Sequence, residues 1–141
     1  MFAPATARTT RPASAVAYQQ MGVHTGVSSA SSHQLVLMLF DGFDEALLQA
    51  RGALQSGAVE LKCRCIGRAL RIVEEGLKAN LDLAAGGTLA ADLNDLYGYV
   101  AVRLLHAQLH NDEAALDECR RLLRPLREGW AQIGPVAHHA A

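Results

Sequence analysis

From Ser31 to Ile133 the apolar residues recur at steps of three and four and never in sustained alternation, so the pattern predicts helices and no strands. Ser31 followed by Gln34 has the spacing of a capping box just ahead of an apolar run. A first helix is predicted over 32–55, with Leu35, Val36, Leu39, Phe40, Phe43, Leu47, Ala50 and Leu54 in one wide sector. Gly57 marks a short turn. A second helix is predicted over 59–84. Leu61, Cys65, Ile66, Ala69, Leu70, Ile72, Val73 and Leu77 share one half of it, and Arg64, Arg68, Arg71, Glu74, Glu75, Lys78 and Asp82 the other. Gly86 and Gly87 are expected to end that helix in a left-handed C-cap, with Thr88 capping the next. A third helix is predicted over 89–110. Asn111 is then read as the N-cap of a fourth helix over 112–133, with Asp112 and Glu113 in its first turn. Its stripe is Ala115, Leu116, Cys119, Leu122, Leu123, Leu126, Trp130 and Ile133. Pro125 sits off that stripe and is expected to kink the helix toward solvent or tighten it locally into a 3₁₀ turn.

Four helices with short links run antiparallel to their chain neighbours, so the expected fold is all-α: an antiparallel up-down four-helix bundle over residues 31–134. Residues 1–30 are Ala-, Ser- and Thr-rich with few apolar side chains and read as a flexible N-terminal arm; residues 135–141 read as a tail.

The third helix has more apolar surface than a bundle core uses. Leu89, Leu93, Leu96, Tyr97, Val100, Leu104 and Ala107 form one stripe. Ala91, Gly98, Val102, Leu105 and Leu109 form a second, nearly opposite. Asp92, Asp95, Tyr99, Arg103, His106 and His110 fill a polar face between them. The first helix adds Leu37 and Leu48 on the side away from its core sector. Such surplus apolar positions are absorbed by the packing of the bundle, buried in a dimer, or covered by an amphipathic helix from a partner. In the last case residues 1–30 could lie over the groove while the partner is absent.

Composition narrows the function classes. With 141 residues, half of them apolar, the chain is large enough for one domain with a real core. A formal charge of −1 and the lack of basic patches with interleaved aromatics argue against nucleic-acid binding. No apolar run is long enough for membrane insertion. Residues 1–34 carry Arg8 and Arg11 and no acid; this suits a flexible arm, with a transit peptide as the alternative. The apolar segment of a secretory signal is missing there, so the cytoplasm is the expected compartment. Three cysteines, Cys63, Cys65 and Cys119, then read as free thiols, Cys65 in the core and Cys63 at the surface.

Catalytic and metal chemistry finds no pattern to rest on. The Glu-x-x-His pairs of a di-metal bundle are missing. His106 and His110 are spaced i, i+4, but Ala107 follows the first where a metalloprotease needs Glu. Phospho-acceptor chemistry at either histidine has no supporting neighbour. Gly86-Gly87 precedes no Lys-Ser/Thr and is a turn rather than a phosphate loop. Arg120, Arg121, Arg124 and Arg127 are read as a solvated face. No cofactor is expected, and no enzyme.

Several segments, in order, resemble the flagellar secretion chaperone family FliS. They are Tyr18-Gln19-Gln20 with Val23 and the small-residue link 26–32; His33-Gln34-Leu35 running into Leu37-Met38-Leu39-Phe40-Asp41-Gly42; and Ile72-Val73-Glu74 with Gly76-Leu77-Lys78, then Leu81-Asp82. Further on come Gly86-Gly87 through Leu93, Leu96-Tyr97, Tyr99, Arg103-Leu104, Asn111-Asp112 and Trp130. The resemblance spans about residues 15–135. It implies a small cytoplasmic helical bundle without catalytic activity. Such a protein holds the C-terminal helical segment of flagellin, prevents its premature polymerisation and delivers it to the flagellar type III export gate. It also implies that the N-terminal segment covers the substrate groove and is displaced on binding, with Tyr18 in the export-gate contact. The chain departs from the family pattern at Ser31-Ser32, where Ser-Pro is common. Gly98 stands where Asp is frequent, and Val102 replaces the first of two arginines. The two lines agree on a helical partner; the expected partner-binding set joins Tyr18 and Val23 of the arm, implied by the resemblance, to Leu37, Leu48, Ala91, Gly98, Val102, Leu105 and Leu109 from the helix faces. The rival expectation is a self-associating structural bundle, a homodimer with the second stripe buried between copies.

Overall fold

A computed structural model of the chain describes residues 31–134. The predicted arm, with Tyr18 and Val23, and the tail lie outside the described residues. Within them the fold is the expected four-helix bundle. Helix α1 spans Ser32–Ser56 and α2 spans Val59–Arg71, continuing into a π-helical segment, Ile72–Lys78. Helix α3 spans Leu83–His110 and α4 spans Glu113–Ile133. Helix α1 packs on α2 and α4, and α3 packs on α4, α2 and the π-helical segment. Thus α1 and α3 form one diagonal of the bundle and α2 and α4 the other.

Local chemistry sets most of the helix ends. Ser31 Oγ accepts the Gln34 N–H at 3.1 Å, and Gln34 Oε1 accepts the Ser31 N–H at 3.1 Å, so the capping box is closed in both directions. Helix α1 ends at Gly57, whose φ of 76° admits the left-handed turn; the Ala58 N–H then reaches back to the Ala53 carbonyl at 2.8 Å.

Two junctions differ from the sequence reading. The second helix stops at Lys78, six residues before the expected 84. Its last turns widen, with the Ala79 N–H bonding the Glu74 carbonyl five residues back at 3.1 Å. This register turns Ile72, Val73, Gly76 and Leu77 all inward. Asn80 Nδ2 donates to the Gly76 carbonyl at 2.7 Å and satisfies an end group that water would otherwise take. Asp82, not Thr88, supplies the side-chain cap that opens α3, accepting the Ala85 N–H at 3.0 Å. Gly87 breaks the first turn of α3 at φ 58°, ψ −139°, and a Cβ on Gly86 would sit 2.5 Å from Ala90 Cβ. The glycine pair therefore bends the start of α3 instead of ending α2.

The second correction concerns Asn111. It is the left-handed C-cap of α3, at φ 52°, ψ 46°, and Asp112 is the N-cap of α4, accepting the Ala115 N–H at 3.2 Å. Asn is among the few residues that enter this conformation without glycine. Its side chain has a second use that sequence reasoning missed. Lys62 is buried, and its Nζ donates to Asn111 Oδ1 at 2.5 Å and to the Gln108 carbonyl at 3.1 Å. A buried ammonium placed on helix-terminal carbonyls is both hydrogen-bonded and favourably placed against the α3 dipole.

The core follows the predicted stripes with few exceptions. Leu39, Phe43, Leu47, Ile66, Ile72, Val73, Val100, Leu104, Leu116 and Cys119 are fully buried. Leu61, Leu89 and Ile133, expected inside, are exposed; the last two lie near helix ends, and Leu61 sits in the first turn of α2, on its α1 side. Pro125 is exposed within a continuous α4, without a 3₁₀ interruption. The arginines of α4 are not simply solvated. Arg120 Nε meets Asp44 at 2.8 Å and Arg127 Nε meets Asp41 at 3.0 Å, tying α4 to α1. At the end of the same seam Trp130 Nε1 donates to the His33 carbonyl at 3.0 Å. His33 Nε2 lies 2.7 Å from the Trp130 carbonyl, which can only accept, so this nitrogen carries the proton. The two rings stack at 5.2 Å.

These assignments make Asn111 a test of the α3 end. Asn111→Ala both strains the left-handed position, by about 1–2 kcal/mol, and removes the acceptor of Lys62. Asn111→Gly removes only the acceptor. In urea denaturation the Ala variant is expected to be the less stable of the two; equal midpoints would mean that the backbone conformation contributes nothing.

Candidate functional site: the outer face of α3

Rotation of α3 about its axis decides which of its two stripes faces the core. Tyr97, Val100, Leu104 and Ala107 turn inward and are buried. Two polar seams hold that rotation. On the α4 side, Tyr99 donates its hydroxyl to Glu118 Oε2 at 2.6 Å and Arg103 Nε donates to Glu118 Oε1 at 2.8 Å. Asp112 Oδ2 lies 3.1 Å from His106 Nε2 and 3.9 Å from the Arg103 guanidinium. On the α2 side, Gln108 meets Cys63 Sγ at 2.8 Å through its side chain and Lys62 through its carbonyl.

The charges on the α4 seam shift one another as this geometry requires. Hydrogen bonds from Tyr99 and Arg103 hold the Glu118 carboxyl below the usual carboxylate range. Asp112 is lowered too, first by the Ala115 backbone N–H and then by His106. The hydrogen bond to Glu118 raises both the Tyr99 phenol and the Arg103 guanidinium.

With α3 fixed in this way, its second stripe faces water. Val102 is 63% exposed, Leu105 50% and Leu109 77%. Ala91 is exposed in the same stripe. Gly98 is half-buried, and a Cβ there would come no closer to a neighbour than 3.9 Å, from Lys78 Nζ. Val59, one turn before Cys63, is exposed as well. The contacts of Gln108 and Asn111 with Lys62 and Cys63 set the first turns of α2 beside the last turn of α3, the end of the bundle at which Val59 is exposed. Sequence reasoning missed Val59 because it opens a helix whose apolar half was counted from Leu61.

Leu37 and Leu48 are placed elsewhere. Leu48 is 43% exposed and Leu37 half-buried, and both lie on α1, diagonally across the bundle from α3. They flank the seam where Asp41, Asp44 and Arg51 pair with α4. The structure thus brings Ala91, Gly98, Val102, Leu105 and Leu109 onto one face and sets Leu37 and Leu48 on a different one.

No group of three or more His, Cys, Asp or Glu side chains able to hold a metal occurs among the described residues. The His106 and His110 rings lie 4.5 Å apart, tilted by 42°, and His106 is turned to Asp112. No helix among the described residues is long and apolar enough to cross a membrane. Cys63 is exposed and Cys65 and Cys119 are buried, all as free thiols; burial pushes the Cys119 thiol up to about 12. What the bundle presents is an apolar strip framed by hydrogen-bonded polar seams, a surface suited to holding another chain.

A family model described as Flagellar protein FliS matches residues 14–137. The chain belongs to the FliS family of flagellar secretion chaperones. The flagellar secretion chaperone FliS of Salmonella typhimurium is 46% identical over 121 residues, covering 86% of this chain and 90% of that protein. FliSB of Pseudomonas aeruginosa is 41% identical over 116 residues, covering 82% and 91%. FliS of Bacillus subtilis is 30% identical over 116 residues, covering 82% of each chain. FliS is a family of chaperones in flagellar export and not of enzymes. The match runs across all four helices and on both sides of the described residues, and it agrees with the resemblance carried by the ordered segments.

The α3–α4 seam has a pH signature. Because the folded-state pKa of Glu118 is depressed, its contribution is present above the unfolded value of 4.5 and is lost as pH falls through the lower folded value. Glu118→Gln is therefore expected to lower the thermal midpoint at pH 7, with the gap to the parent closing in acid below about 4.5. A gap that stayed constant with pH would mean the carboxylate charge plays no part.

Proposed function

We propose that this FliS-family chain binds the C-terminal helical segment of flagellin, prevents its premature polymerisation and delivers it to the flagellar type III export apparatus. The observation that carries this reading is the exposed apolar strip of α3 in a member of a secretion-chaperone family. Val102, Leu105 and Leu109 supply apolar contact for an amphipathic helix. Ala91 and Gly98 leave room for close backbone approach.

The diagonal placement of Leu37 and Leu48 suits a substrate that wraps. A segment of about 40 residues, roughly 60 Å if helical, is long enough to cross α3 and continue round to α1. Such a segment is disordered alone and orders on binding, so affinity reflects a large buried area less the ordering entropy. Residues 1–30, with Tyr18 and Val23, are proposed as a cap that competes for the groove, and Tyr18 as a contact to the export gate. The cytoplasm is the compartment in which this work is done. A second copy of the chain is the rival cover for the α3 strip, in a homodimer formed without substrate.

Replacing both Val102 and Leu105 with Asp is expected to abolish binding of a flagellin C-terminal peptide in calorimetry and to leave the helical circular dichroism intact. Undiminished binding by the folded double variant would remove the site from this face.

Removal of residues 1–27 tests the cap. Tighter peptide binding by the truncated chain is expected, and unchanged affinity would discard the cap while keeping the chaperone role. A tight dimer in sedimentation that flagellin peptide does not dissociate would favour the homodimer.

A further inference from the structure

The arginines of this chain are not treated alike by the fold. Arg51, Arg103, Arg120 and Arg127 each meet a carboxylate across a helix seam. Arg64 and Arg68 on α2 make no hydrogen bond or ion pair among the described residues. Arg121 and Arg124 on α4 also make no hydrogen bond or ion pair among the described residues, but both are exposed, and Arg121 is near enough to Glu118 to help lower its carboxyl. Arg68 is different because it is half-buried. Its guanidinium lies over the α1 backbone, 3.5 Å from where a Cβ on Gly42 would be. A cation that gives up part of its hydration without gaining an anion is held at a cost that a carboxylate would offset.

Arg64 lies one helical turn from Arg68, and Arg71 continues the same stripe. Leu61, 40% exposed, borders it on the α1 side of α2, and Met38 on α1 is only partly buried. This face is distinct from the α3 strip. Cys63 and Lys62 mark the edge of α2 that meets α3, whereas Arg68 marks the edge that meets α1.

We infer that the outer α1–α2 face is a docking surface for an acidic amphipathic helix of a partner protein. Two of that helix's carboxylates, at i and i+4, meet Arg64 and Arg68, and an apolar side chain meets Leu61. The guanidinium fork pairs with a carboxylate through two parallel hydrogen bonds, which gives direction as well as attraction. One-turn spacing on α2 matches one-turn spacing on the incoming helix. Glu60 on α2, Glu75 on the π-helical segment and Glu45 on α1 are exposed on the same two elements. They repel an extended polyanion while leaving room for a local pair of carboxylates, so protein acid is favoured over nucleic-acid phosphate. A substrate that runs from α3 over α4 to Leu37 and Leu48 reaches α1 on its α4 side, whereas this partner lies on the α2 side of α1, so the two can be held at once.

The test uses the full chain and a fluorescent helical peptide of about 18 residues with Glu at i and i+4 and Leu beside them. Anisotropy is expected to show saturable binding that weakens as ionic strength rises. Arg64→Glu with Arg68→Glu should lower the affinity at least about tenfold, and Arg121→Glu with Arg124→Glu should leave it unchanged. Binding should persist with flagellin C-terminal peptide at saturation. The inference is overturned by an absence of saturable binding, by equal losses in the two charge-reversed pairs, or by tighter binding of an RNA oligonucleotide of equal charge. Displacement by flagellin peptide also overturns it, since the arginines would then belong to the substrate face. Circular dichroism of each variant separates loss of binding from loss of fold.

Discussion

In a square arrangement of four antiparallel helices each member meets two neighbours, so a large part of its circumference is left to water. Three helices of this bundle put mainly polar residues there. Helix α3 puts Val102, Leu105 and Leu109 there. The arrangement is stable only because something other than apolar attraction decides how α3 is turned. Judged by greasiness alone, either of its stripes could face the core. Tyr97 and Leu104 favour one rotation by volume, and the hydrogen bonds of Tyr99 and Arg103 to Glu118 and of Lys62 to the α3 C-terminus hold it. Polar contacts of this kind add little net stability each, but they penalise the wrong register heavily, because it would strand their partners unpaired.

The same logic runs round the rest of the molecule. The α1–α4 seam is fixed by Asp41–Arg127, Asp44–Arg120 and Arg51–Asp117, and closed at its end by His33 and Trp130. The α1–α2 packing depends instead on small residues, with Ala46, Ala50, Ala53 and Gly42 buried along one flank of α1. Close backbone approach leaves little space for ion pairs there, which is why Arg68 ends up flattened over Gly42 without a carboxylate.

Much of the fold was legible in the sequence because it depends on local periodicity and on caps with strong spacing rules. Ser31 and Gln34 close as a box since both members are three residues apart and nothing tertiary competes. The surplus stripe of α3 was legible for the same reason: a helical wheel needs no knowledge of neighbours. The failures sit where a tertiary contact overrides a local signal. Gly86-Gly87 looks like a helix end, but the core draws Ile72, Val73, Gly76 and Leu77 inward together, and α2 widens into a π turn and stops early. Asn111 looks like an N-cap, yet Lys62, far away in sequence, takes its side chain and leaves the capping to Asp112. Arg120 and Arg127 look solvated until α1 is laid beside them with Asp44 and Asp41. Leu37, Leu48 and the α3 stripe looked like one site because a wheel says which way a residue points, not which side of the bundle its helix occupies.

That separation bears on how the fold relates to the chaperone's work. The Val102, Leu105 and Leu109 side chains stay half or more exposed when the chain is folded, so each contributes less to folding than a buried core side chain does. Their exposed apolar area is removed from water only by another chain. The residues that hold α3 in register are a different set, on its flanks and inner face. A bundle built this way can change its outer strip without unfolding. It can also change its seams and lose the strip's direction while every strip residue remains. Loss of substrate binding after a seam mutation would therefore mark a misaligned face rather than a contact residue, and the two causes part in the circular dichroism and in the pH dependence of stability, to which the seam contributes and the uncharged strip side chains do not.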